Sequence, residues 1–213
     1  MKKKLFSLLL SCCISCNIFA TGTVLAAESV QTPAEANQPS PIDNFRGYKW
    51  GTSRSDIEAG EITDNMVEGI DYIYSDSRDT LAIVNGSVAG YDTFVYYTFD
   101  DSDEFVQGFY ILQEEHSNKT DYYDDFCDLA ELYVKKYGQP LAEKEDWKDD
   151  LFKDDPSEWG TAIAAGYVEF SKLWKDSDGN SIVMVLSGDN YEISTNILYV
   201  YAGYEAEENM EGI

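Results

Sequence analysis

Residues 91–99 read YDTFVYYTF, and their phase decides what kind of fold the chain can adopt. Taken at every second position, Tyr91, Thr93, Val95, Tyr97 and Phe99 fall on one side. Asp92, Phe94, Tyr96, Thr98 and Asp100 fall on the other. A period of two predicts a strand with one drier face. Further along, KTDYYDDFCDLAELYVKKYGQP (119–140) changes period. Phe126, Leu129, Ala130, Tyr133, Val134 and Tyr137 recur at helical spacing, which predicts an amphipathic helix lying on a sheet. Asn118 with Asp121 suits its start. Lys135 and Lys136 suit its negative end, Gly138 stops it and Pro140 prevents restart.

Further strands are predicted on either side of this pair. Before the helix they are GIDYIYSD (69–76), TLAIV (80–84), SVAGYDTFVYYTFD (87–100) and EFVQGFYILQEE (104–115). Asn85-Gly86 is the hairpin signal between the second and third. After the helix come AAGYVEFSKLWK (164–175), NSIVMVLS (180–187) and YEISTNILYVYA (191–202), with DSDG and GDN as turns. Residues 141–160, LAEKEDWKDDLFKDDPSEWG, read as a long acidic loop pinned by Trp147, Leu151, Phe152 and Trp159. In FRGYKWGTSRSDIEAGE (45–61), Ser53 and Asp56 have capping-box spacing and Gly60 is a natural stop. This predicts a short helix with Ile57 turned inward and Phe45 and Trp50 packed beneath it. The order of elements reads as α+β: an antiparallel sheet of about six to seven strands with one short and one long helix packed on it.

The ends carry different signals. Residues 1–27 combine Lys2, Lys3 and Lys4, an apolar run and the small residues Ala26 and Ala27, the pattern of a secretory signal peptide. Cys12 and Cys16 leave lipidation as an alternative. Residues 28–42 read as a disordered linker, 43–204 as one α+β domain and 205–213 as an acidic tail. Without the leader the net charge goes from −25 to −28, and Cys127 is the one cysteine left, so no internal disulfide is expected. Such charge argues against nucleic acid and anionic membranes as partners, and no membrane-spanning segment is expected after processing.

Candidate chemistry is sparse. His116 is the only histidine, Cys127 lies in the predicted helix, and no second soft ligand supports zinc. Glu169 and Glu192 are the strand acids with the best claim to partial burial, with Lys172 or Arg46 expected as partners. DSDGNS (176–181) lacks the glycine and distal glutamate of a calcium loop and reads as a turn. Calcium could bind weakly at Asp149, Asp150, Asp154 and Asp155; no other cofactor is expected. Phe94, Tyr96 and Tyr110 are candidates for an exposed sheet face, and Trp147 and Trp159 for an aromatic rim. Arg46, Lys49 and Arg54 either offset nearby acids on the sheet and helix or simply point into water.

The strings FRGYKWGTS, AGYDTFVYYTF, KYGQP, EWGTA and GDNYEI together resemble a widespread family of bacterial envelope proteins of uncharacterised activity, across most of residues 43–203. WGTSRSDI is similar to the turn-helix of SmpA/OmlA-type and β-lactamase-inhibitor-like domains. That likeness implies a helix and an antiparallel sheet making a protein-binding surface. Thr52 stands where those families tend to carry Met, and neither resemblance supplies a catalytic residue. The expected function is a secreted or envelope-attached, non-enzymatic protein-interaction module. A carbohydrate- or cell-wall-binding module is the alternative, followed by a hydrolase using paired carboxylates.

Overall fold

The computed structural model describes residues 39–75 and 79–204. The predicted leader, most of the linker and the acidic tail lie outside the described residues, as do Cys12 and Cys16.

The chain enters through residues predicted to be linker. Ser40 N–H donates to the Lys136 carbonyl at 2.8 Å, and Ile42 is buried with its N–H on Asp176 Oδ2 at 3.0 Å. Strands β1 (Asn44–Phe45) and β2 (Tyr48–Lys49) then form a hairpin. Its two turn residues, Arg46 and Gly47, both have positive φ, +53° and +90°. That is the backbone a two-residue turn needs to match strand twist. Helix α1 (Arg54–Glu61) starts at the predicted cap, where Ser53 Oγ accepts from Asp56 N–H at 3.2 Å. The Asp56 carboxylate takes the Ser53 hydroxyl, 2.8 Å away, and the helix continues through Gly60.

Strands β3 (Tyr72–Ser75), β4 (Thr80–Val88), β5 (Tyr91–Phe99) and β6 (Phe105–Leu112) follow as a meander. Helix α2 (Asp121–Tyr137) comes next and ends at Gly138, whose φ is +79°. Beyond it lie β7 (Ala142–Trp147), a 3-10 turn (Pro156–Glu158), helix α3 (Trp159–Ala164) and strands β8 (Val168–Lys175), β9 (Ser181–Asp189) and β10 (Glu192–Val200). All strand-to-strand pairings of the main sheet are antiparallel, in the order β3-β4-β5-β6-β10-β9-β8-β7, so two four-strand meanders meet at the β6–β10 pair.

The α+β class and the antiparallel sheet match the expectation, while the element numbers differ. Among the described residues the main sheet has eight strands, beside a two-stranded hairpin and three α-helices. The predicted acidic loop contains β7 and α3. Among the described residues strand β7 pairs only with β8, and it stands in solvent over most of its length, so AEKEDW carries no apolar alternation to betray it. Asn85-Gly86 is not the hairpin turn either. It sits inside β4 at a register shift, where a Cβ on Gly86 would run into Val95. The turn is Ala89-Gly90, with φ of +52° and +95°.

One face of the sheet carries all three helices and the first hairpin. Phe45 is 1% exposed and meets the rings of Tyr97, Phe105, Tyr110 and Tyr199. Helix α2 contributes Phe126, Leu129, Ala130, Tyr133 and Tyr137 to the same core. The phenols of Tyr199 and Tyr133 hydrogen-bond at 2.9 Å inside it, and Trp174 Nε1–H donates to the Gly138 carbonyl at 2.9 Å.

Burying tyrosines makes alkaline stability predictable. Tyr110 is pushed up to about 12, mainly by burial and against the pull of nearby Arg46. Its folded value thus exceeds the ordinary value of roughly 10. The stability it contributes is complete below about pH 10 and is lost as pH rises through about 12. Two units correspond to about 2–3 kcal/mol. Absorbance at 295 nm and circular dichroism, titrated together, should show phenol ionisation and unfolding coupled above about pH 10. Full phenolate absorbance with the fold intact would contradict this.

Candidate interaction surface

Strand pairing brings one residue from each of the eight strands into a row across the face opposite the helices. The row runs Ile73, Ala82, Tyr96, Phe109, Leu198, Val183, Leu173, Ala142, each the register partner of the next. Every member is apolar or aromatic. Beside it lie Phe94 and Ile111, also register partners, and Val185. None belongs to the core between sheet and helices. Ile73 is 40% exposed, Tyr96, Phe109, Leu198 and Leu173 are half-buried, and Ala82 and Val185 are buried.

Charge is scarce on this face although charged residues make up 26% of the chain. On β5, β6, β10 and β9 it is confined to strand ends, at Asp92, Glu192 and Asp189. Tyr96 and Phe109 are 6.2 Å apart with ring planes at 50°, so they do not form a flat platform.

The structure divides the predicted binding residues. Phe94 and Tyr96 are on this face. Tyr110 is not: it opposes Val95 on the helix side, 5% exposed, against Phe45. Its phase differs by one residue from that of Phe109 and Ile111, and a one-residue difference inverts the face. Trp147 and Trp159 also lie on the helix side, packed with Phe170; Tyr123 joins Trp159 and Phe170. The two tryptophan rings meet at 61°.

The calcium candidates serve their own loop. Asp149 Oδ1 accepts from Leu151 N–H at 2.9 Å, and Asp150 pairs with Lys153 at 3.1 Å. Asp155 accepts both the N–H and the hydroxyl of Ser157, and Asp154 is exposed. Asp176 likewise holds its turn through Asp178 and Asn180 N–H groups. Among the described residues no three His, Cys, Asp or Glu side chains form a metal-holding group.

Two of the basic residues of the opening stretch do meet acids. Arg46 clasps both oxygens of Glu61, at 3.0 and 3.1 Å, and Tyr97 donates its hydroxyl to Glu61 Oε1 at 2.6 Å. Burial alone would lower the Arg46 value, but the bonds to Glu61 override it and hold the guanidinium charged; burial and Glu61 together push Tyr97 far up. Arg54 pairs with Glu58 at 3.3 Å and Asp103 at 3.7 Å. Lys172 pairs with Glu143 on the helix side, so neither it nor Arg46 serves Glu169 or Glu192, which occupy the opposite phase.

His116 Nε2 bonds Asp125 Oδ2 at 2.5 Å, and Tyr91 donates to the other oxygen at 3.2 Å. Burial pushes the Cys127 thiol above its ordinary value, which disfavours the thiolate a nucleophile needs. One surface hollow of about 340 Å³ is lined by Cys127, Ala130, Glu131, Val134, Lys135 and Lys172. Another, of about 280 Å³, lies among Arg46, Tyr110, Tyr133 and Lys136, and neither lining contains two carboxylates.

Compared with family models, curated proteins and solved structures, the chain matches none of them.

Proposed function

We propose that this protein is an exported, non-enzymatic interaction module that holds a partner protein on the open face of its sheet. The supporting observation is the apolar row crossing all eight strands on the side away from the helices. Contiguous apolar surface of this kind on a highly charged chain is characteristic of a binding surface. Its centre holds Tyr96, a residue type enriched among interface hot spots, beside the large apolar side chains of Phe109 and Leu198. The tilted rings favour a protein over a sugar, which stacks on coplanar aromatics.

Phe109→Thr tests the reading. Threonine keeps strand propensity, so the fold should persist while the central ring is lost. Purified wild type and variant would be offered envelope extract and, in parallel, a glycan array. A protein retained by the wild type should be held at least tenfold more weakly by the variant at unchanged melting temperature, as expected for a hot-spot truncation. Retention insensitive to Phe109→Thr would overturn the sheet-face reading. Glycan binding that depends on Trp147 would replace it with the carbohydrate reading.

A further inference from the structure

The open face has a polarity of charge as well as an apolar row. At one end, where β5, β10 and β8 begin and β9 and β7 finish, it carries Asp92, Glu192, Glu169, Asp189 and Asp146. Glu192 is the direct register partner of Asp189, and Glu169 that of Asp146. Like charges directly opposite on an antiparallel pair are destabilising. Among the described residues, Lys144, 2.9 Å from Asp146, is the one cation at ion-pair distance from any of the five. Lys119 approaches this end but is held by the Tyr191 carbonyl at 3.2 Å. The other end of the same face carries Thr98, Gln107, Val200, Ser181 and Lys175.

We propose, resting on the sheet-face reading above, that the partner is a cationic polypeptide. Its apolar side chains cover the row through Tyr96, Phe109 and Leu198, and its Lys or Arg side chains sit over the carboxylate end at Asp92, Asp189, Glu192 and Glu169. Of the two adjacent like-charge pairs, Glu169–Asp146 has only Lys144 beside it and Glu192–Asp189 has no cation at ion-pair distance among the described residues, so a ligand that brings cations relieves them. The apolar row supplies contact area that no small cation could use. From Tyr96 to Asp92 is four residues, roughly 13 Å along the strand. That is within reach of a basic side chain on the flank of a helix about 10 Å across. A second copy of this chain fits poorly, because at a net charge of −25 its acids would meet acids.

The probes are three synthetic 18-residue amphipathic peptides sharing one leucine face, with lysine, serine or glutamate on the other. Binding is read by fluorescence anisotropy in 50 and 300 mM NaCl. The lysine peptide should bind and weaken about tenfold at the higher salt, and the glutamate peptide should bind at least 100-fold more weakly. Asp189→Asn with Glu192→Gln should weaken the lysine peptide about fivefold and flatten its salt dependence. Asp128→Asn with Glu131→Gln, which removes the same charge from exposed positions of α2 on the other face of the sheet, should change neither. Serine and lysine peptides binding equally, both lost in Phe109→Thr, would overturn the cationic partner and leave the sheet face standing. Lysine-peptide binding that ignores Phe109→Thr would be adsorption to acidic surface and would overturn both. Failure of the lysine peptide to bind at 100 µM would overturn the cationic partner alone, since retention from extract still decides the face.

Discussion

Phe45→Ala should lower the free energy of unfolding by about 3–5 kcal/mol, the range for truncating a fully enclosed aromatic residue. The ring is 1% exposed, with neighbours at 5.3 Å (Tyr97), 6.0 Å (Phe105), 4.6 Å (Tyr110) and 5.1 Å (Tyr199). It drops into the space left by Gly108, where any Cβ would collide with it. The surrounding side chains come from β5, β6 and β10, which are anchored by their own pairing and cannot close over the void. Urea denaturation should show a lower midpoint with an unchanged slope. A loss below about 1 kcal/mol would mean that the hairpin only rests on the sheet.

Glu61→Ala should cost about 3 kcal/mol by a different route. It leaves the Tyr97 hydroxyl without its acceptor and the Arg46 guanidinium, whose side chain is 24% exposed, with only the Ser87 carbonyl at 3.2 Å. A partly buried charge without its counter-ion is worse than no charge there. The double variant Arg46→Met, Glu61→Ala should therefore recover more than half of the loss, and Tyr97→Phe alone should cost only about 1 kcal/mol. A double-mutant cycle in urea measures this directly. Additive losses from Arg46→Met and Glu61→Ala would show that the pair is energetically uncoupled.

Where a period is strongly expressed, the fold was legible from the chain. YDTFVYYTF and the stripe from Phe126 to Tyr137 became β5 and α2 on the expected faces, because their burial follows their spacing. The misreadings have local causes. Gly86 offers a turn signal but is spent on close packing against Val95, so the turn moves to Ala89-Gly90. Strand β7 has water on most of its side chains and hence no pattern. The candidate face was half visible. In β9, Ile182, Met184 and Leu186 occupy one phase while Val183 and Val185 fill the other, and a strand apolar in both phases is expected to be covered on both sides. What local spacing cannot supply is the cross-strand register. Phe109, Leu198 and Val183 become a row only once β6, β10 and β9 are known to be neighbours in that alignment.

The lateral boundary at β7 has an effect on behaviour in concentrated solution. Four consecutive ionic side chains, Glu143, Lys144, Glu145 and Asp146, stand along it. A visiting strand that docked there would have to strip water from carboxylates and an ammonium group before gaining a single amide bond. Growth of the sheet by ladder extension is thereby blocked on that flank, and self-assembly into fibres from this border is expected to be negligible even in a chain with 16 tyrosines and 10 phenylalanines.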